Sequence, residues 1–512
     1  MRVVEFVLAL FPIIWLMFAL SKLKMPAFKA CPSALALTVV LAVFYWKMPL
    51  LDCVTGGLEG AAMAVWPISL VIVAAIFTYN LCISTGSMDL IKQMLAGVSK
   101  DKRILLLIIG WGFGGFMEGM AGFGTAVAIP ASMLCGLGFS PIVATTACLV
   151  ANATPTAFGS VGIPTVTLAQ ITGLSSEVIT WNTTVQLLPL ILITPFLMVM
   201  IAGKSFKALK DIWPLVLSSG VSFAVPELLA ARFLGPELPV IIGSICSMAV
   251  TVLVAKKWYK NTNSEYEIQT EKEEEVHITG KEAGKAWLPF ILIFVFLLLT
   301  SNLIPPVHDA LASVKTSLPI YRGEGAEPYT FTWLATPGVM ILLAAVIGGK
   351  VQGAGITQMW GALKDSLKQM WKTILTIISI MAMAKIMGYS GMIGAIAGML
   401  VTLTGRFYPF ISPFVGAIGT FVTGSGTSSN VLFGSLQAET ASNLGISQAW
   451  LAAVNTVGAT IGKMISPQTI AIGTAATSQA GEESKIMNSV MKYCLLFIII
   501  AGCIAFAGSI LI

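Results

Sequence analysis

The sequence predicts an all-α polytopic membrane protein, an inverted repeat of about five spans in each half with two re-entrant hairpins and two broken helices. Three observations predict it. The 512-residue chain is 56% hydrophobic and only 11% charged, well outside the composition of soluble domains. Its lysines and arginines gather in short segments between apolar runs, the pattern that sets membrane topology. A helix-breaking stretch in the first half, Asn152-Ala-Thr-Pro-Thr-Ala-Phe-Gly159-Ser-Val-Gly-Ile-Pro164, is matched in the second by Asn455-Thr-Val-Gly-Ala-Thr-Ile-Gly462-Lys-Met-Ile-Ser-Pro467. Both read Asn-x6-Gly-x4-Pro at one constant offset, and a matched pair of polar interruptions points to a transporter's binding site.

The elements follow in order. Val3 to Leu20 is apolar enough to cross a bilayer as helix, and an open sheet could not satisfy its backbone there. A secretory signal is the other reading of this start, but no small-residue cleavage site follows the run. Lys22, Lys24 and Lys29 make the next loop cytoplasmic and place the N-terminus outside. Spans at Ser33 to Trp46 and Ala62 to Ile83 then lead out and back to Lys92, Lys100, Lys102 and Arg103. A hairpin over about residues 104–139, tip at Gly122 to Thr125, and a helix over about 141–174, broken between Asn152 and Pro164, bring the chain outside. Val185 to Ile201 returns it to Lys204, Lys207 and Lys210, closing a first repeat over 1–210.

Residues 211–286 supply two linking spans and a solvated inner linker that opens on Lys256-Lys-Trp-Tyr-Lys260 and holds Glu271-Lys-Glu-Glu-Glu275. The second repeat, 287–512, begins with Leu288 to Leu303 and an outer segment from Pro305 to Thr332 that reads as an ordered cap or a simple loop. Lys350, Lys364, Lys368 and Lys372 lie inside, and Trp371 to Met387 runs outward, opposite to its counterpart at Ala62 to Ile83. A hairpin over about 407–443, tip at Gly424 to Asn430, therefore enters from outside. A helix over about 448–477, broken between Asn455 and Pro467, crosses to Lys485, and the last span leaves the C-terminus outside. Gly86 to Ser99 and Gly391 to Leu403 suit helices along the membrane surface. About twelve spans result.

Several function classes are set aside. The net charge of +6 reports topology, not nucleic-acid binding. The 8 Cys are scattered through apolar spans and suit packing. The two His, His277 and His308, lie in polar loops, so neither a metal site nor a catalytic set is expected, and no cofactor. No Gly-x4-Gly-Lys-Ser/Thr loop supports an ATP-driven pump.

The candidate site gathers at the tips and breaks. Free N–H groups at helix starts carry partial positive charge and suit a small carboxylate, and hydroxyls add short-range selectivity. Gly122, Gly124 and Thr125 come from one tip, and Ser425, Gly426, Thr427, Ser428, Ser429 and Asn430 from the other. Asn152, Thr154, Asn455 and Gln468 offer carbonyl and hydroxyl ligands at the breaks, for substrate or for a cation. The alternative for these is helix capping, and for the glycines close packing. Charged residues within spans are costly and mark function. Glu118 is the candidate proton-coupling group, while Lys463 either balances an anionic substrate or pairs with Glu118. Lys385, near a span end, is expected to snorkel to the interface.

Glu118-Gly-Met-Ala-Gly-Phe-Gly-Thr-Ala-Val-Ala-Ile-Pro130, the Asn152 segment and Thr423-Gly-Ser-Gly-Thr-Ser-Ser-Asn-Val-Leu-Phe-Gly434 closely resemble the bacterial L-lactate permease family, over essentially the whole chain. The resemblance implies uptake of L-lactate, with D-lactate and glycolate, by proton symport across the bacterial inner membrane. More remotely, the layout is similar to the ion-transporter superfamily, whose members often use sodium. A sodium-coupled transporter of another small carboxylate is thus the alternative.

Overall fold

The computed structural model describes residues 2–122, 124–259, 264–268, 278–301, 303–479 and 481–511. Glu271 to Glu275 and His277 lie outside the described residues. Among those described, eleven helices are long and apolar enough to span a membrane, or twelve if Pro141–Ala151 and Pro155–Thr172, bent by 58°, count as one span. The small exception to an all-α chain is an antiparallel ribbon, Lys315–Leu318 with Tyr329–Thr332, following the helix Pro305–Ala312. The segment from Pro305 to Thr332 is thus an ordered cap.

One group of helices forms a frame. The long helix Ile356–Tyr389 packs against Ala27–Phe44 and both parts of Leu50–Ser84, and Pro337–Gln352 packs between Leu70–Ser84 and Gly280–Leu299. Two of these spans start earlier than their apolar runs. Leu50–Ser84 continues upstream of Ala62 because the polar residues there find partners: Thr55 Oγ1 donates to the Leu51 carbonyl at 2.9 Å, and Glu59 is ion-paired to Lys385 at 2.9 Å. Lys385 therefore does not reach for the interface. The Tyr389 hydroxyl lies 3.0 Å from both Glu59 oxygens, and the Tyr321 ring stacks on Tyr389 at 3.7 Å and 2°. Ile356–Tyr389 likewise starts well before Trp371, with its lysine-bearing first turns exposed.

The lysine-rich loops come together on one face. Phe28 stacks edge-on against Trp371, the Gln352 amide donates to the Lys285 carbonyl, and Gln358 donates to the Ser84 carbonyl. On the same face Arg103, 1% exposed, pairs with Asp101 at 2.7 Å, donates to the Ala208 carbonyl and lies 4.1 Å from the Tyr266 ring centroid. The Ile268 N–H donates to the Lys100 carbonyl, so this piece of the linker is fastened to the first hairpin's foot. The opposite face carries the ribbon: the Trp66 indole donates to the Thr332 carbonyl, and the Tyr329 hydroxyl to the Trp66 carbonyl.

The second group holds two helix pairs that turn back at glycine tips. Lys102–Met120 ends near Gly122, and Thr125–Gly136 packs back along it. Tyr408–Thr423 turns at Gly424, and Gly426–Leu444 returns beside it, with Ser412 Oγ donating to Gln437 and Ser429 Oγ to the Gly416 carbonyl. The open end of the first pair sits on the lysine-rich face, at Arg103 and Ala208. The other pair opens beside Leu451 and Ala505, near the end of Glu483–Leu511.

Each pair is accompanied by an interrupted helix. In the first, Pro141–Ala151 ends at Asn152, and Ser160, Val161 and Gly162 turn left-handed (φ 47°, 58° and 78°) before the helix resumes at Ile163. A β-branched residue with positive φ is strained by about 1–3 kcal/mol and persists only where its surroundings hold it. The Ser160 hydroxyl holds this turn by donating to the Ala121 carbonyl at 2.8 Å. The second break is narrower than the Asn455 to Pro467 span predicts. Gln448–Lys463 is continuous through Asn455 and Gly462, and Pro467–Ala476 follows after Met464, Ile465 and Ser466. Glycines in that helix serve contact: a Cβ at Gly458 or Gly462 would strike the carbonyls of Pro413 or Ala417 on the hairpin, the small-residue packing of membrane helices.

Candidate functional site

Both tips and both breaks meet at one cavity of about 770 Å³. Its wall runs from Glu118 and Gly124 of the first hairpin, through Thr156, Gly159 and Ser160 of the first break, to Thr423–Ser428 of the second tip and Lys463, Ser466, Gln468 and Thr469 of the second break. The frame closes the remaining side with Phe28 and Thr376, and Lys24 and Lys372 lie where the cavity approaches the lysine-rich face.

Three helices begin here. Gly124, Ser425 and Ser466 are the N-cap residues of Thr125–Gly136, Gly426–Leu444 and Pro467–Ala476. Their first-turn N–H groups give the cavity a partial positive charge suited to an anion. The Ser425 side chain caps its own helix by accepting from the Ser428 N–H, and the Ser466 hydroxyl has no protein partner. Gly424 is in the left-handed region (φ 75°), and the Gln468 amide lies against its Cα so closely that a Cβ would overlap it. Only glycine lets these two segments touch.

Glu118 and Lys463 form an ion pair at 2.7 Å, their side chains 3% and 9% exposed. It joins the first hairpin to the second break. Glu118 Oε1 is taken by the ammonium, whereas Oε2 has no protein partner. Gly159 packs against the carboxylate, and any side chain there would strike Oε1. Of the two sequence readings of Lys463, the structure shows the pair.

Other predicted residues stand elsewhere. Gly122 packs against Ser160, and the Thr125 hydroxyl turns back to the Gly122 carbonyl. Ser429, Asn430 and Asn455 are buried away from the cavity in an amide network. Asn430 donates to the Pro164 carbonyl and to Thr456, both at 2.9 Å, and Asn455 donates to the Asn430 side-chain oxygen at 3.0 Å. Asn152 and Thr154 are also enclosed, but their side-chain polar atoms have no protein partner. Ser160, Thr423 and Ser466 lie inside the segments that the sequence marks, Asn152 to Pro164, Thr423 to Gly434 and Asn455 to Pro467, but the sequence does not distinguish them there as site residues. Nothing in the letters marks Phe28 and Thr376, which the frame brings in from distant segments.

Against known proteins, the family model described as L-lactate permease matches residues 5–512. The chain belongs to the L-lactate permease family. It is 45% identical over 447 residues to the L-lactate permease of Streptococcus iniae, covering 87% of this chain and 93% of the relative. It is 35% identical over 526 residues to the L-lactate permease of Escherichia coli K12, covering 97% and 94%. The glycolate permease GlcA of the same strain is 35% identical over 537 residues, again covering 97% and 94%. Among solved structures, Neisseria gonorrhoeae MtrF superposes with a TM-score of 0.52 at 12% identity, over 96% of this chain and 97% of that one. That likeness concerns the fold alone. Family membership makes this a multi-pass membrane transporter.

Proposed function

We propose that the protein imports L-lactate, and with it D-lactate and glycolate, by proton symport across the bacterial inner membrane, through alternation of two inversely oriented repeats (1–210 and 287–512) about the shared cavity. The observation that carries the reading is the Glu118–Lys463 pair at the meeting point of three helix N-termini. In this reading the lysine-rich face is cytoplasmic, both termini lie outside, and the conformation is open inward. The residues at the tips and breaks hold the substrate.

The pair couples the two ligands. With Glu118 ionised, Lys463 is occupied and a carboxylate must compete for it. A proton on Glu118 removes the competitor, and the freed ammonium, with the helix N-termini, takes the substrate carboxylate. Proton and anion thus favour each other's binding, and the coupling is reciprocal. Thr427 and Thr469 line the cavity and supply hydroxyls for the 2-hydroxyl of the substrate in this reading.

A second reading, sodium coupling of a small carboxylate in the same architecture, is favoured by one observation: the buried side chains of Asn152 and Thr154 leave their oxygens without protein partners. One experiment separates the two. Proteoliposomes are given an inward pH gradient without sodium, and uptake of labelled L-lactate is followed. Accumulation that a protonophore abolishes is the expected result. Uptake that begins only when sodium is added overturns proton coupling in favour of the second reading.

A further inference from the structure

A second cavity, of about 380 Å³, lies on the face opposite the lysine-rich loops. It is formed where the helix Ser176–Gly203 begins, where Gly280–Leu299 ends at Thr300 and Ser301, and where the loop between Trp213–Phe233 and Pro239–Trp258 dips in. That loop reaches the left-handed turn of the first broken helix. A Cβ at Gly162 would collide with the Pro236 carbonyl and approach the Glu237 nitrogen to 3.1 Å. The same turn, through Ser160 and Ile163, lines the large cavity on its other side. The two cavities are thus separated at this point by that turn and the backbone of Pro236 and Glu237 packed on it.

The titratable groups lining the second cavity, among the described residues, are Glu177, Glu237 and His308. Arg232, at the end of the preceding helix, lies over the Trp181 ring at 5.5 Å and does not line the cavity. Glu227 lies deeper in that helix, buried, with no protein partner for either oxygen. Glu237 is half-buried, its carboxylate near Gly235 and accepting from its own backbone N–H. His308 Nδ1 lies 2.9 Å from the Thr300 carbonyl. A carbonyl only accepts, so Nδ1 carries the hydrogen and Nε2 keeps the lone pair that binds a proton. Burial pushes the Glu237 carboxyl up to about 7, with a charged His308 holding it lower than burial alone would.

We propose that this cavity is the far-side proton entrance, and that Glu237 and His308 form the site that takes a proton from the external medium. The inference rests on the proton-symport reading. The transfer is from water to a Glu237 oxygen or to His308 Nε2, with hydroxide left in the medium or hydronium consumed. On Glu237 the proton neutralises a carboxylate of the loop that touches the Gly162 turn, and on His308 it adds a positive charge beside that carboxylate, so external protonation acts one contact away from the turn.

The test measures lactate uptake in sealed, uniformly oriented vesicles at fixed internal pH while the pH on the far side is varied. Wild-type uptake is expected to fall as external pH rises through neutrality. Glu237→Gln is expected to lose this step. His308→Gln is expected to move it to higher pH, because an imidazolium no longer opposes protonation of Glu237. Profiles of both variants that overlay the wild type overturn the proposal. If Glu237→Gln does not assemble, His308→Gln, at a half-buried position, decides by the same criterion. A wild type indifferent to the pH gradient would overturn the symport reading itself, and is told apart because it needs no variant.

Discussion

Glu118→Gln should bind lactate more tightly than the wild type at alkaline pH. In the wild type a carboxylate arriving at Lys463 meets an ammonium already held at 2.7 Å by Glu118, in a site where both side chains are nearly excluded from solvent. To bind, it must replace a charge-assisted hydrogen bond of about 1.5–3 kcal/mol. Glutamine is close to isosteric with the protonated acid and carries no charge, so the lactate carboxylate no longer competes with another anion for Lys463. The expected gain is about ten- to a hundredfold in Kd, at about 1.4 kcal/mol per factor of ten. Under the proton-symport reading it should shrink as the medium is acidified. Calorimetric titration of purified protein with L-lactate at alkaline and acid pH measures both. Vesicle assays should show the variant exchanging lactate but no longer accumulating it against a gradient under a pH difference. Equal affinities at alkaline pH, or loss of binding in the variant, would refute competition for Lys463 as the coupling device.

Three further outcomes are expected. Gly424→Ala puts a Cβ into the Gln468 amide at a left-handed residue. It should cost about 1–2 kcal/mol in backbone strain alone and raise the KM for lactate, measurable by thermal denaturation and uptake kinetics. Tyr389→Phe removes the hydroxyl that bonds the Glu59 carboxylate and should lower stability by about 1.5–3 kcal/mol while leaving the KM for lactate unchanged, since this cluster is remote from the cavity lining. Lys24→Glu reverses a charge at the approach to the large cavity and should slow lactate exchange at low salt. The defect should fade as ionic strength rises and the Debye length falls below about 10 Å.

Much of the site was legible because tips and breaks need residues that helices avoid. Gly124, the Ser425 to Ser428 run and Gln468 stand out against apolar surroundings, and the cavity lies where they meet. Asn430 and Asn455 illustrate the limit. A polar residue in an apolar helix reads the same whether it faces a ligand or another amide, and only the partner decides. Here the partners are the Pro164 carbonyl and each other. Glu59 and Lys385 look like weakly placed charges at span ends until the frame brings them within 2.9 Å. The second break was overestimated because Gly458 and Gly462 look like helix breakers, yet in lipid a glycine in a regular helix is equally a place for a neighbouring backbone to come close. The ribbon at Lys315–Leu318 lay in a segment whose Pro and Gly content allowed either order or a simple loop.

That ribbon has a consequence for how the molecule can be addressed. It is fastened to Trp66 of the span Leu50–Ser84 by two hydrogen bonds, and the segment between its strands lays Tyr321 on Tyr389, whose hydroxyl touches the Glu59–Lys385 pair. An aqueous surface is thus joined to an ion pair among the frame helices through two stacked rings. A nanobody gripping this ribbon would hold a handle on the frame helices without entering the substrate route. A fluorophore placed there, paired with a second on a hairpin, would report whether the frame and the hairpins move relative to each other.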